Sequence, residues 1–244
     1  MGGVEKWWKE RMQQREVSPI VAAPAKPHDS VVAPAESVGG GREGMGGPES
    51  VFDFTIRGGQ LVGVPQIEDP TTSKNSLVPK GIVIHYTCSY SMKSTIEWFR
   101  DKNVSIHVMV NKDGSLVQMV KFNKVAWHAG PSSWKQYDGL NNYFIGIEVI
   151  NIGELRAVGD KMLDCYDREY RGTYYTHEML GCKYWAAFTK EQVAATAGLC
   201  KSLMKYYSIP VENVIGHYEG APKRKLDPAF CMGMSMDEFR RSLV

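Results

Sequence analysis

Two histidines, an aspartate, a glutamate and a lysine give this chain its chemical character. The stretch IGHYEGAPKRKLDP, residues 215–228, carries His217 and, ten residues on, Asp227, with Lys225 two residues before the aspartate. An imidazole nitrogen and a carboxylate oxygen are both ligands that zinc accepts. Pro222 lies between them, where its fixed φ stiffens a loop and discourages a continuous helix. Upstream, GIVIHYT (81–87) is a short apolar run ending in His85, with Cys88 just beyond it. FIGIEVI (144–150) has the same character and holds Glu148 among apolar neighbours. An ionised glutamate there is costly unless it faces a polar site or a partner. A buried strand that delivers a histidine at its C-terminal end is a common way to build a site on an α/β sheet. Together these residues suit metal-assisted hydrolysis.

The segments IVIHYT, SIHVMVNKDGSLVQMV, KVAWHAG, FIGIEVIN and IGHYEGAPKRKLDP follow one another across residues 81–231. In type and order they resemble the zinc-dependent type 2 N-acetylmuramoyl-L-alanine amidases. That family includes phage amidase endolysins, a wall-recycling bacterial amidase and the peptidoglycan-recognition proteins. The resemblance implies zinc held by His85, His217 and Asp227, with the fourth position left to water. It also implies Glu148 as the general base and Lys225 as the oxyanion donor. The bond cut would join the lactyl group of N-acetylmuramic acid to L-alanine in peptidoglycan. Trp127 and His128 would lie at the substrate cleft, with His128 outside the ligand set. His107 would sit near the site without binding metal, and on its own it reads as a packed core histidine.

Some members place a tyrosine before that histidine, where this chain has Ile106, which leaves Glu148 as the base. The turn after the aspartate reads DPAFCM and departs from the usual small turn. Cys231 is a rival ligand lying four residues late, because other branches use cysteine in place of the aspartate. Cys88 reads as packing. A non-catalytic peptidoglycan-binding module of the same fold is the competing reading, and retention of all three ligands with Glu148 and Lys225 argues against it.

The expected architecture is a single α/β domain over 51–244, with a central mixed sheet of five or six strands and helices on its faces. Gly58-Gly59 marks a hairpin, and residues 91–102 read as a helix. Residues 105–120 form a second hairpin around Asp113-Gly114. KVAWHAG reads as a strand edge entering a loop, and 131–143 as loop. The Tyr-rich run 152–188 has no clear assignment; its place after the Glu148 strand makes it an excursion able to wall the cleft. Residues 189–207 form the clearest helix, capped by Thr189, with Val193, Ala197, Cys200 and Met204 on one stripe. A short strand then enters the metal motif, and MSMDEFRRSL closes in a helix.

Residues 1–50 are set apart by composition. Residues 18–50 are rich in Pro, Ala, Gly and Ser, as in linkers, and the preceding charged segment reads as a short helix. Six Lys+Arg against seven Asp+Glu over 1–50 exclude a basic nucleic-acid arm. The whole chain of 244 residues has a net charge of +2, which argues neither for nor against nucleic acid, and no nucleic-acid partner is expected. The tail lacks the apolar core of a signal peptide. No apolar run reaches the roughly 18–20 residues of a membrane span. Five irregularly spaced cysteines favour a reducing cytoplasm over a disulfide framework. The expectation is a monomer made in a bacterial cytoplasm and released to the periplasm to act on peptidoglycan as a phage endolysin. Recycling of cytosolic wall fragments is the alternative.

Overall fold

The computed structural model describes residues 52–67 and 73–244. The expected N-terminal tail lies outside the described residues. In chain order the strands are β1 (Ile56–Arg57), β2 (Gln60–Leu61), β3 (Gly81–Tyr86), β4 (Val108–Val110), β5 (Leu116–Gln118), β6 (Ser133–Trp134) and β7 (Tyr137–Asp138). They continue as β8 (Phe144–Val149), β9 (Glu154–Val158), β10 (Lys161–Leu163), β11 (Tyr174–Met179), β12 (Cys182–Ala186) and β13 (Val214–Gly216). The helices are α1 (Met92–Lys102), α2 (Lys190–Tyr207), the single turn α3 (His217–Gly220) and α4 (Met236–Ser242).

The central sheet has five strands in the order β13-β3-β8-β4-β5. It is parallel except for β5, which pairs antiparallel to β4 through the Asp113-Gly114 turn. Both faces of β3 and β8 are covered, which is why their sequences are nearly unbroken apolar runs. One face presents Ile82, Ile84, Ile145, Ile147 and Val149 to a core that includes Leu199 and Leu203 of α2. Alternation then sends His85 and Glu148 to the opposite face, where they are paired neighbours across β3 and β8.

Helix α2 begins as the sequence indicates, with a capping box between Thr189 and Gln192. Its buried stripe differs from the expected one. Ala195, Leu199, Cys200 and Leu203 are buried, whereas Val193, Ala197 and Met204 are only partly covered. The inward face also holds Gly198, where an added Cβ would stand 2.4 Å from the Phe52 carbonyl oxygen. The stripe is therefore set by close backbone approach as much as by side-chain size.

Two other segments depart from expectation. Residues 124–130 do not extend a strand beyond an isolated bridge between Ser76 and Lys124. The amides of Trp127, His128 and Ala129 are taken by side chains, Ser105 Oγ for the first and Asn141 Oδ1 for the other two, so no ladder can form. Residues 131–143 form a small hairpin of β6 and β7 and a 3₁₀ turn rather than plain loop.

The excursion is a second, antiparallel sheet in the order β10-β9-β12-β11. It is anchored by Trp185, which is fully buried in the main core and donates its indole N–H to the His177 carbonyl at 2.8 Å. Trp185→Ala should cost about 3–5 kcal/mol, as for other buried large aromatics. For a domain of this size that is a fall of roughly 10 °C in Tm. A thermal melt that stayed in place would mean that this sheet folds apart from the core.

Candidate metal centre

Three buried side chains converge beyond the C-terminal ends of β3 and β13. His85 is the penultimate residue of β3, His217 follows β13 directly, and Asp227 returns from the loop after α3. One ligand atom from each lies within 4.8 Å of the other two, and this is the one such group among the described residues. His85 Nδ1 stands 2.9 Å and His217 Nδ1 3.0 Å from the same oxygen, Asp227 Oδ2.

Local structure holds these groups firmly. The Tyr218 amide donates to the Asp227 carbonyl at 3.0 Å, so the two ends of the motif are stitched together by backbone. Glu219 accepts the Gly216 N–H at 2.8 Å and receives a two-pronged bond from Arg240 of α4 at 2.9 and 3.0 Å. Such a fork fixes orientation as well as position. Arg240 also donates to the Val214 carbonyl at 3.0 Å, tying β13 to the same brace.

The proton positions follow from the outer partners. His217 Nε2 lies 2.9 Å from the Ala129 carbonyl oxygen, which can only accept. The tautomer with its proton on Nε2 satisfies this carbonyl and turns a lone pair from Nδ1 towards Asp227, with Arg224 Nη2 3.4 Å from the same Nε2. His128 Nε2 likewise faces a carbonyl, that of Phe144 at 3.1 Å, so its Nδ1 is an acceptor in the neutral ring. Burial, with His85 and His107 nearby, holds His128 well below the ordinary imidazole range and keeps it neutral. His128 Nδ1 can then take a proton only from His85 Nε2, 3.0 Å away, and His85 in turn presents a lone pair from Nδ1. Burial first, then His217, lowers His85 to about 4, against the pull of Asp227.

In these tautomers two imidazole lone pairs and a carboxylate oxygen converge on one another. A cation resolves that arrangement, and nitrogen–nitrogen–oxygen is a set that zinc accepts, with an outer hydrogen bond on each imidazole. Burial would push the Asp227 carboxyl up, but His217, His85 and Lys225 together hold it well below its usual range. The donor set fits zinc.

Glu148 is buried beside His85, and burial followed by the Asp227 charge pushes its carboxyl well up, with Lys225 pulling the other way. Lys225 is half-buried and its charge acts on His85, Glu148 and Asp227 alike. The structure thus brings together six of the seven residues singled out in the sequence: the three ligands, Glu148, Lys225 and, through His85, His128. Trp127 is 40 % exposed at the surface, immediately before His128 in the chain. His128, expected beside it at the cleft, instead turns both ring nitrogens to protein partners.

The rivals fall away. Cys231 is buried outside the ligand group, and Cys88 lies with its Sγ 3.5 Å from that of Cys165. His107 is a core residue, accepting the Gly146 N–H and facing the Lys124 carbonyl. Burial lowers it to about 4. Ile106 is fully buried and takes no part in the site. His177 stacks on Phe230 and is not part of the ligand group.

Sequence reasoning missed two side chains and two carbonyls. Arg224 donates to the Ala129 and Pro131 carbonyls, each at 2.6 Å. Asn141 anchors the His128 and Ala129 amides at 3.0 and 2.8 Å. The carbonyls of Phe144 and Ala129 fix the two tautomers and have no side-chain signature to find.

A family profile described as N-acetylmuramoyl-L-alanine amidase matches residues 75–230. The chain is 33% identical over 156 residues to the N-acetylmuramoyl-L-alanine amidase AmiD of Escherichia coli, covering 61% of this chain and 48% of that one. It is 32% identical over 142 residues to the 1,6-anhydro-N-acetylmuramyl-L-alanine amidase AmpD of Citrobacter freundii, covering 58% and 57%. The chain thus spans about half the length of these relatives. A solved complex of E. coli AmiD with anhydro-N-acetylmuramic acid-L-Ala-D-γ-Glu-L-Lys superposes with a TM-score of 0.52 at 29% identity, over 70% of this chain and 59% of that one. A selenomethionine AmpD structure shares the fold, with a TM-score of 0.54 at 21% identity over 78% of this chain and 99% of that one. With the profile covering well over half its length and the ligand set in place, the chain belongs to the N-acetylmuramoyl-L-alanine amidase family.

Proposed function

We propose that this protein is a zinc-dependent amidase that cleaves the bond between the lactyl group of N-acetylmuramic acid and L-alanine in peptidoglycan or its fragments. The observation that carries the reading is the convergence of His85 Nδ1, His217 Nδ1 and Asp227 Oδ2 as three acceptors, with Glu148 on the neighbouring strand. Zinc in such a site supplies Lewis acidity and brings the pKa of water towards about 7.

The chain's own residues do the rest. Glu148 accepts the proton of the attacking water and hands it to the departing alanine nitrogen, a role suited to a carboxyl whose burial has raised its proton affinity. Lys225, from the loop that carries Asp227, places positive charge where the carbonyl oxygen becomes negative, a contribution of about 10²–10³ in rate for a well-placed donor. Trp127 offers an exposed aromatic face for the apolar side of a sugar or peptide. The AmiD complex supports a soluble anhydromuramyl peptide as substrate.

Mass spectrometry of digests tests this. The expected products are a stem peptide with a free L-alanine amino group and a muramic acid carboxylate, both lost in chelator. Cleavage of any other bond, or none, overturns the proposal. Running intact sacculi beside soluble anhydromuropeptides separates a lytic role from a recycling one.

A further inference from the structure

The segment Trp127–Pro131 stands in an unusual relation to both histidine ligands. His128 Nδ1 takes the outer N–H of His85, and the Ala129 carbonyl takes that of His217. Consecutive residues of one loop therefore orient two ligands that come from different strands. The loop is itself fixed from two sides. Asn141 Oδ1 accepts both its amides, and Arg224 Nη2 reaches two of its carbonyls. Space for the His128 ring comes from Gly146 in β8, where an added Cβ would stand 2.6 Å from His128 Cγ. The ring ends its chain of bonds on the Phe144 carbonyl, two residues before that glycine, so no ring nitrogen is left to donate to a sugar or peptide.

We propose that this loop is the outer hydrogen-bond frame of the metal centre, with His128 a positioning residue for His85 and not a contact for substrate. The proposal rests on the zinc reading above and extends it to residues that touch no metal. An outer partner of this kind fixes which nitrogen is available and how the ring is aimed, and losing one typically costs 10–100-fold in metal affinity or activity.

The test is the zinc dissociation constant of the full chain, measured by competition with a chromophoric chelator. His128→Ala should weaken zinc binding by about 10–100-fold, with the far-UV spectrum unchanged. His128→Gln, whose amide oxygen can accept the His85 N–H, should recover most of the loss. Asn141→Ala, which loosens the loop without touching either ligand, should weaken binding by roughly tenfold, the low end of that range. It also serves as the second variant if His128→Ala does not fold. Zinc affinity within twofold of wild type in His128→Ala or Asn141→Ala, with KM for a soluble muropeptide raised instead, overturns the frame and returns the loop to the substrate. A wild-type chain that takes up no zinc overturns the metal reading itself, which is a different failure.

Discussion

His217→Ala is expected to lose zinc and turnover together. The site has three protein donors, and removal of one leaves His85 Nδ1 and Asp227 Oδ2 as an incomplete pair. The fold should survive, because His217 follows β13 and its neighbours are held by the Glu219–Arg240 fork rather than by the imidazole. Zinc content should fall from about one per chain to near zero. Turnover should fall by at least about 10³-fold, since both Lewis acidity and the activated water disappear. One bound zinc in the variant with wild-type turnover would remove His217 from the centre.

Glu148→Gln should separate chemistry from metal binding. Glutamine is nearly isosteric and keeps a polar group on β8, but it cannot take a proton from water. Zinc content should stay at about one per chain while the rate drops by at least about 10²-fold, the low end of a general-base contribution. Stability gives an independent check. Burial raises the Glu148 carboxyl well above its ordinary value, so the folded chain holds that proton more tightly than the unfolded one. The contribution favours folding below the ordinary carboxyl pKa and is lost as pH rises towards the folded value. At pH 8 the wild type resists ionising Glu148 and the variant has nothing to ionise, so in zinc-free protein the variant should melt no lower. A structural role predicts the reverse, a destabilised variant whose folded fraction turns over normally. Lys225→Met should lower kcat more than affinity, and its loss would drive the Glu148 carboxyl further up.

What could be read beforehand has a physical pattern. Strands β3 and β8 were legible because both their faces are buried, which leaves His85 and Glu148 as conspicuous polar residues in apolar runs. Helix α2 was legible from Thr189 onward because a capping box is a local signal. The second sheet was not. Strand β11 reads YYTHEM and is exposed along most of its length, so alternation has little to act on. The loop at 124–130 resembled a strand because its composition is apolar, yet its amides are claimed by Ser105 and Asn141, residues distant in sequence. His128 could be singled out by type but not by direction, since only the packing against Gly146 shows which way its ring turns.

Strand β13 adds a consequence for how the protein is made. It is three residues long and, among the described residues, lies at one edge of the central sheet and pairs only with β3, which was synthesised some 130 residues earlier. His217 and Asp227 follow it, so the corner that gathers the three ligands cannot close until residues up to 228 have left the ribosome. Parallel pairings across such separations form late, because the loop entropy must be lost before the contact rewards it. The emerging chain therefore holds no assembled centre until that point. On this topology the three-ligand corner would form only once β3, β13 and the segment that follows it have all emerged.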